Sequence, residues 1–456
     1  MNHLYWRIPS SIDLGSLLKK HPPKFKYKID YFYYFIELLC DLMEYNDLDG
    51  NGGYVNLNAK LMQSIVHDYN LYLKYLLDQR IIRTDKQYIV GAKSFGYVLN
   101  KLDYNAEIQQ IEIQNFVIRK NRARKNRALE QEMKVTCSKY SYLTKWFNDK
   151  LQIDAEGAKR KIEELFPEPT GAIKGVAKGK AGRATKKYSA KLAVQKLVNR
   201  DFYYKIDENV GRFHSNLTNI KKELRNYITY DGQPLVNIDI KNSQPLLSTL
   251  LLDPSFYAPQ KKPRYINIYN IPSSFNLLIN NNKHSYTDTI IMLVKVLQSV
   301  DIKQVSSYTR MAKSGDFYQQ LSKVMYPTKA FDKGEMKKLT YTVFFSNNRS
   351  IQGMHYMPKR QFKRKFPDVY KVFRALKIKN HRALSHILQR IESEIMIQKV
   401  CQRISYEQPT LPIFTIHDSI ITTDGNQDYV SKVIKEEAFK LTGLKVMLGI
   451  ERLIDN

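Results

Sequence analysis

Two aspartates stand where the surrounding residues are apolar. Asp239 follows the run LVNI and precedes IKNSQPLL, and Asp418 sits inside FTIHDSII among β-forming residues. A carboxylate within a hydrophobic strand is costly to bury unless it is paired or binds a metal. Taken singly, each has a plain explanation as a turn cap or a buried hydrogen-bond acceptor. Two such strands side by side would place like charges together, and that arrangement calls for a cation between them. Hard oxygen donors favour Mg²⁺, with Mn²⁺ as a substitute. Two ions on two aspartates form a clamp for in-line phosphoryl transfer.

A third segment bears on the same chemistry. Residues 333–346 read KGEMKKLTYTVFFS, and Lys333, Lys337, Tyr341 and Phe345 recur at every fourth position. On a helix this makes one broad stripe of two cations followed by two rings. An amphipathic helix with a basic rim would explain it; so would a nucleotide, with cations on the phosphates and rings against the base. Glu392 and Glu394 are further acids, and the plainer reading places both on a helix surface.

These residues belong to a chain of 456 residues with 73 Lys+Arg against 44 Asp+Glu, a formal charge of +29. That excess points to a polyanion, nucleic acid before an anionic membrane face. The charge is clustered: RKNRARKNR at 119–127, with Arg119, Arg122 and Lys125 as candidate phosphate contacts; nine Lys/Arg and no acid across 171–200; and KRQFKRK at 359–365. With 43% hydrophobic residues and a mean hydropathy of −0.46, a folded, non-membrane chain is expected. Three dispersed cysteines exclude a disulfide framework and fit a reducing, cytoplasmic setting, and no signal peptide is visible.

Along the chain, DLDGNGG at 47–53 mimics the start of a calcium loop. Position 12 of that loop is Asn58 rather than Glu, so a simple turn is expected. Residues 57–100 read as helix, helix, hairpin, which fits either a winged helix or a small structural α+β unit. Residues 103–165 read as helical, and 170–187 as a flexible basic loop. From about 192 onward the pattern is that of one α/β unit, with strands at 234–240 and 412–423.

The order of these motifs resembles family A DNA polymerases and the related single-subunit phage-type RNA polymerases. VNIDIKNSQ resembles motif A. Lys333, Lys337, Tyr341 and Phe345 resemble motif B, and His417-Asp418-Ser419 resembles motif C. GRFHSNLTNIKKELR (211–225) resembles an upstream segment of family A, with Arg212 at its arginine. The resemblance covers about 200–456. It implies Asp239, Asp418 and the Ile240 carbonyl as ligands of two Mg²⁺, Lys333 on the incoming triphosphate, and Lys337 on the developing charge. It implies Tyr341 and Phe345 against the nascent base pair, and Gln244 at the position that reads the sugar. Arg212 and His417 would touch the primer end, and Gln389 the minor groove. Thr342 and Ser346 replace the motif B glycines, and Gln244 replaces a glutamate. No acid cluster resembling a proofreading exonuclease occurs in the first 200 residues.

The expectation is therefore an α+β right-hand polymerase of palm, fingers and thumb. It would comprise an N-terminal domain at 1–105 with the winged-helix candidate, a basic thumb-like region and loop at 106–192, and palm and fingers at 193–456. The expected activity is DNA-directed DNA synthesis from a primer, without proofreading. Its substrates would be template-primer and nucleoside triphosphates, and it would act as a monomer in a phage or other mobile element. The alternatives are an RNA polymerase or primase, a template-independent terminal transferase, and a non-catalytic DNA-binding replication protein.

Overall fold

The computed structural model describes residues 4–45, 54–88, 93–100, 102–103, 105–168, 177–260, 264–272, 278, 286–349 and 356–454. The calcium-loop-like stretch at 47–53 lies outside them. The chain is mixed α+β, and among the described residues no helix is long and apolar enough to cross a membrane.

The first hundred residues build their own core around Trp6, Phe32, Phe35, Tyr72, Leu76 and Leu99. Strand β1 (Tyr5–Pro9) leads to helix α1 (Ile29–Tyr45), and β2 (Val55–Asn56) precedes helices α2 (Ala59–Ile65) and α3 (Tyr69–Asp78). Strands β3 (Ile82–Thr84) and β4 (Gly96–Leu99) follow as an antiparallel pair, in a sheet of order β2-β4-β3. Strand β5 (Ile108–Glu112) returns to pair with β1.

Helix α4 (Phe116–Lys139) carries the RKNRARKNR run. Of its side chains only Ile118 and Thr136 are buried. A helix that polar and that bare is one that bridges between packed units rather than lining a core. The stretch expected as a flexible loop is different from its reading: helix α5 spans Ala177–Val198. Alanine and lysine are good helix formers, and from Ala184 onward the helix is buried between the two cores. Its Tyr188 and Leu192 join the N-terminal core, and Ala184, Ala190 and Leu197 join the second. No break in packing therefore falls at residue 192.

The second core surrounds a sheet of order β11-β12-β10-β9-β6, with β13 on the other side of β10. Its strands are β6 (Leu151–Ile153), β9 (Ile228–Tyr230), β10 (Gln233–Ile240), β11 (Ile413–Ile416), β12 (Ser419–Thr423) and β13 (Leu448–Leu453); β7 (Tyr204–Ile206) and β8 (Phe213–Ser215) form a separate hairpin. In β10, Val236, Ile238 and Ile240 alternate toward the core, the period-2 signature of a half-buried strand. Helix α9 (Gln427–Thr442) lays Val430, Val433, Ile434 and Ala438 into that core. Three more helices reach the site: α6 (Ser243–Ser248), α7 (Lys333–Phe345) and α8 (Ala383–Ser393). The last runs on through a wide π-helical segment, Glu394–Cys401.

Candidate active site

The site is assembled at the end of β10. The run 412–423 is not one strand but two, β11 and β12, joined by a two-residue turn at His417 and Asp418, with Ile416 paired to Ser419. The sequence gives no glycine or asparagine to mark the turn. His417 supplies it by adopting a left-handed backbone, φ +55°, a conformation that costs a side-chain-bearing residue about 1–2 kcal/mol. Such cost is tolerated where surrounding structure fixes the geometry, and functional sites are enriched in it. The turn projects Asp418 at the sheet edge instead of burying it in a strand.

Asp239 faces Ser419 on β12 and Gly449 on β13. The Ile240 N–H donates to the Asp418 carbonyl at 3.3 Å, so backbone ties the two acid-bearing segments together. Burial and then the Asp418 carboxylate push the Asp239 carboxyl above its ordinary range, while Lys333 and Lys337 pull it back. Three chemistry-bearing side chains, from segments up to 179 positions away (418 − 239), thus act on the Asp239 carboxyl. A Cβ on Gly449 would lie 2.3 Å from Asp239 Oδ1, so only glycine leaves the carboxylate its place.

Helix α7 begins at a capping box: Asp332 Oδ1 accepts from the Glu335 N–H at 2.8 Å, and Glu335 Oε2 accepts from the Asp332 N–H at 3.1 Å. Its stripe presents Lys333 and Lys337 to solvent, with Tyr341 and Phe345 half-buried behind them. Lys337 Nζ stands 5.6 Å from the Tyr341 ring centre, and the two rings are 5.1 Å apart. Burial raises the Tyr341 hydroxyl above its usual range, against the pull of Lys337. In the glycine positions, Thr342 Oγ1 donates back to the Lys338 carbonyl at 3.1 Å and Ser346 Oγ to the Thr342 carbonyl, so both hydroxyls are spent within the helix. At its far end Lys377 Nζ donates to the Val343 and Ser346 carbonyls, at 2.9 and 3.2 Å.

On the opposite side, Glu392 of α8 is 1% exposed, not a surface glutamate. It falls on the i, i+4 row with Leu384 and Leu388, which was the signal for its burial. Arg212 Nε donates to its Oε1 at 3.1 Å and Nη2 to the same oxygen; Gln244 Nε2 donates to Oε2. Complete burial raises the Glu392 carboxyl to about 7, against the opposing pull of Arg212 and with Asp418 adding to it. Ser243 Oγ donates to Asp418 Oδ2 at 2.6 Å and lies 3.3 Å from Glu392 Oε2. Gln244 Oε1 is buried and has no hydrogen-bond partner among the described residues. Gln389 is half-buried one turn before Glu392, on the same helical face. Glu394 is half-buried in the π-helical segment. His417 keeps an exposed edge; desolvation first, then Arg212, His214 and Arg225, bring its imidazole down to about 4, so it is neutral at pH 7.

The three candidate contacts on the basic helix α4 differ. Arg122 is committed to the protein: its Nη1 and Nη2 donate to Glu37 at 2.7 and 3.0 Å, and its guanidinium lies 5.0 Å from the Trp6 ring centre. Its guanidinium is thus already engaged by an acid of the protein. Arg119 stands 3.9 Å from Glu112. Lys125 is exposed, as are Lys120, Arg124 and Arg127.

Among the described residues no three His, Cys, Asp or Glu side chains converge as a metal-holding group. The donor set is two carboxylates with nearby backbone carbonyls. It fits Mg²⁺, which keeps several waters and is commonly held by one or two carboxylates together with substrate phosphates. It does not fit a structural metal, which needs a closed protein cage.

No protein-family model and no curated protein matches the sequence. Among solved structures, the chain is similar to the POL domain of Pol1 from M. smegmatis in complex with DNA primer-template and dNTP, at 11% identity and a TM-score of 0.30. The similarity covers 66% of this chain and only 55% of that one. At such a TM-score it carries no weight beside the site geometry.

Proposed function

We propose that this chain is a template-directed nucleotidyltransferase with palm, fingers and thumb, and that it extends a DNA primer with dNTPs without proofreading. One observation carries the reading: Asp239 and Asp418 are tied together by backbone, and Lys333 and Lys337 of α7 act electrostatically on the same carboxyl. Paired acids opposite paired cations suit a substrate that is itself a polyanion carrying divalent cations.

In this reading Asp239, Asp418 and the Ile240 carbonyl would hold two Mg²⁺ ions, which would supply Lewis-acid activation of the attacking hydroxyl and charge neutralisation of the pyrophosphate. Lys333, at the first turn of α7, binds the triphosphate, where the helix N-terminus adds its own positive field. Lys337 meets the charge that grows on the leaving group and hands it a proton. Tyr341 and Phe345 offer the base a ring surface. Arg212 and neutral His417 line the primer side, with Gln389 toward the duplex. The exposed cations of α4 hold the phosphate backbone. Helix, helix, hairpin order at 54–99 supports reading that module as a winged helix that grips duplex DNA.

A second reading has its own support. Gln244 Oε1, buried and without a partner among the described residues, is an acceptor that a sugar hydroxyl would satisfy, which favours ribonucleotides and an RNA polymerase or primase.

Primer extension on a defined template, with dNTPs and NTPs offered separately in Mg²⁺ or Mn²⁺, tests both. Template-encoded extension with dNTPs supports the first reading and with NTPs the second. Elongation of a lone single strand would mean terminal transfer. An inert wild-type chain, or an Asp418→Asn chain as active as wild type, would remove the enzyme reading.

A further inference from the structure

Glu392 is a buried acid that the reaction as described does not use. Each of its oxygens is engaged by a different part of the site. Oε1 takes two donors of Arg212, which stands just before β8 of the β7–β8 hairpin; Oε2 takes Gln244 Nε2 and lies beside Ser243, both at the start of α6. Ser243 has one hydroxyl hydrogen, and the shorter contact, 2.6 Å, gives it to Asp418 Oδ2. That bond fixes the carboxylate's rotation and leaves Oδ1 for a cation. The α8 backbone widens into the π-helical segment two residues after Glu392, and such segments recur at functional sites.

A carboxylate serves both directions with Gln244 in its present orientation. Arg212 needs an acceptor on one side and Gln244 needs one on the other; a glutamine has a single oxygen and an alanine none. Resting on the nucleotidyl-transfer reading, we infer that Glu392 is a positioning residue that couples two halves of the site: it holds Arg212 on the nucleic-acid side and, by accepting from Gln244 at the start of α6, it places the adjacent Ser243 that orients the metal-binding Asp418. It touches neither substrate nor metal. Partners of this kind behind a metal ligand change affinity or activity by about 10–100-fold when altered.

The test compares Glu392→Gln, Ser243→Ala, the double variant and Asp418→Asn with the wild-type full chain. Mn²⁺ binding is read by electron paramagnetic resonance, and primer-template affinity, kcat and melting temperature are read alongside. Glu392→Gln should weaken both Mn²⁺ and primer-template binding about tenfold. Ser243→Ala should weaken Mn²⁺ alone, and the double variant should bind Mn²⁺ no worse than Glu392→Gln, because both act along one path. Two single variants that bind Mn²⁺ and primer-template like wild type would overturn the inference while leaving the enzyme intact. So would losses that are additive and simply follow melting temperature. If Glu392→Gln fails to fold, Ser243→Ala decides: unchanged Mn²⁺ affinity refutes the coupling. A wild-type chain that neither binds Mn²⁺ through Asp418 nor incorporates nucleotides would instead sink the nucleotidyl-transfer reading itself.

Discussion

Gly449→Ala separates the placement of Asp239 from the stability of the sheet. The added Cβ would sit 2.3 Å from Asp239 Oδ1, 3.3 Å from Cγ and 3.6 Å from Oδ2. Non-bonded carbon and oxygen settle no closer than about 3.2 Å, so Oδ1 must retreat by about 1 Å. Gly449 lies in paired strand, and its φ is not in the left-handed region, so alanine meets no backbone strain there. Replacing a strand glycine gains about 0.5–1 kcal/mol of chain entropy, and pushing a side chain off its rotamer costs about 0.5–1.5 kcal/mol. The two nearly cancel, and the melting temperature should move by no more than a few degrees. Activity should not be spared. A misplacement of about 1 Å in a reacting constellation costs on the order of 100-fold. Steady-state incorporation, Mn²⁺ affinity and thermal unfolding on the same preparation form the assay. Wild-type incorporation and Mn²⁺ binding in a folded Gly449→Ala protein would refute the argument that the Asp239 carboxylate must hold this position.

Other perturbations follow from the same structure. Asp418→Asn or Asp239→Asn should abolish incorporation by several orders of magnitude while raising the melting temperature, since each relieves like-charge repulsion at an unliganded site; a lowered melting temperature would contradict the electrostatic account. Burial holds Lys377 down to about 7 against an ordinary 10.5. Between those values the unfolded chain binds more protons than the folded one, so Lys377 makes stability rise with pH across that window. Lys377→Met should flatten the rise, as read by urea unfolding at pH 7 and 9.5. Affinity for duplex DNA should fall by about 10³–10⁵ between 50 and 200 mM salt if six to ten phosphates are contacted. Lys125→Ala should shallow that slope by about 0.9 if Lys125 meets one phosphate. Arg122→Ala should leave the slope unchanged and cost about 2 kcal/mol of stability through the stranded Glu37.

Much of the site's raw material is visible locally. An aspartate inside LVNIDI or FTIHDSII is conspicuous because burial of charge is costly, and the four-residue spacing of Lys333, Lys337, Tyr341 and Phe345 is a property of one helix. Helix, helix, hairpin at 57–100 is likewise a matter of short-range pattern. Errors arose where long-range packing decided. The basic stretch 170–187 is rich in Gly, Lys and Ala and reads as a linker; its first residues, to 176, lie outside the described ones, and from Ala177 it is helix, anchored from Ala184 onward between two cores. Arg122 is chemically like its neighbours in RKNRARKNR; only the fold reveals that Glu37 and Trp6 lie on its side of α4.

The residues hardest to read are those whose value lies in a neighbour's geometry. His417-Asp418-Ser419 is a weak turn signal inside the β-forming run PIFTIHDSIITT, easily passed over as one strand; the hairpin and the left-handed backbone at His417 follow from the pairing of β11 with β12. Gly449 reads as an ordinary strand residue until Asp239 is seen across from it. Glu392 shows how a helical period can be overruled by habit. Its place on the apolar row of α8 argues for burial, and the rarity of buried glutamate argues against it. The period wins because Arg212, Gln244 and Ser243, which lie 148 to 180 positions away, supply the partners that make burial affordable. A lone buried glutamate costs several kcal/mol, so in a sequence an acid on an apolar stripe is itself a pointer to distant cationic and amide groups that must come to meet it.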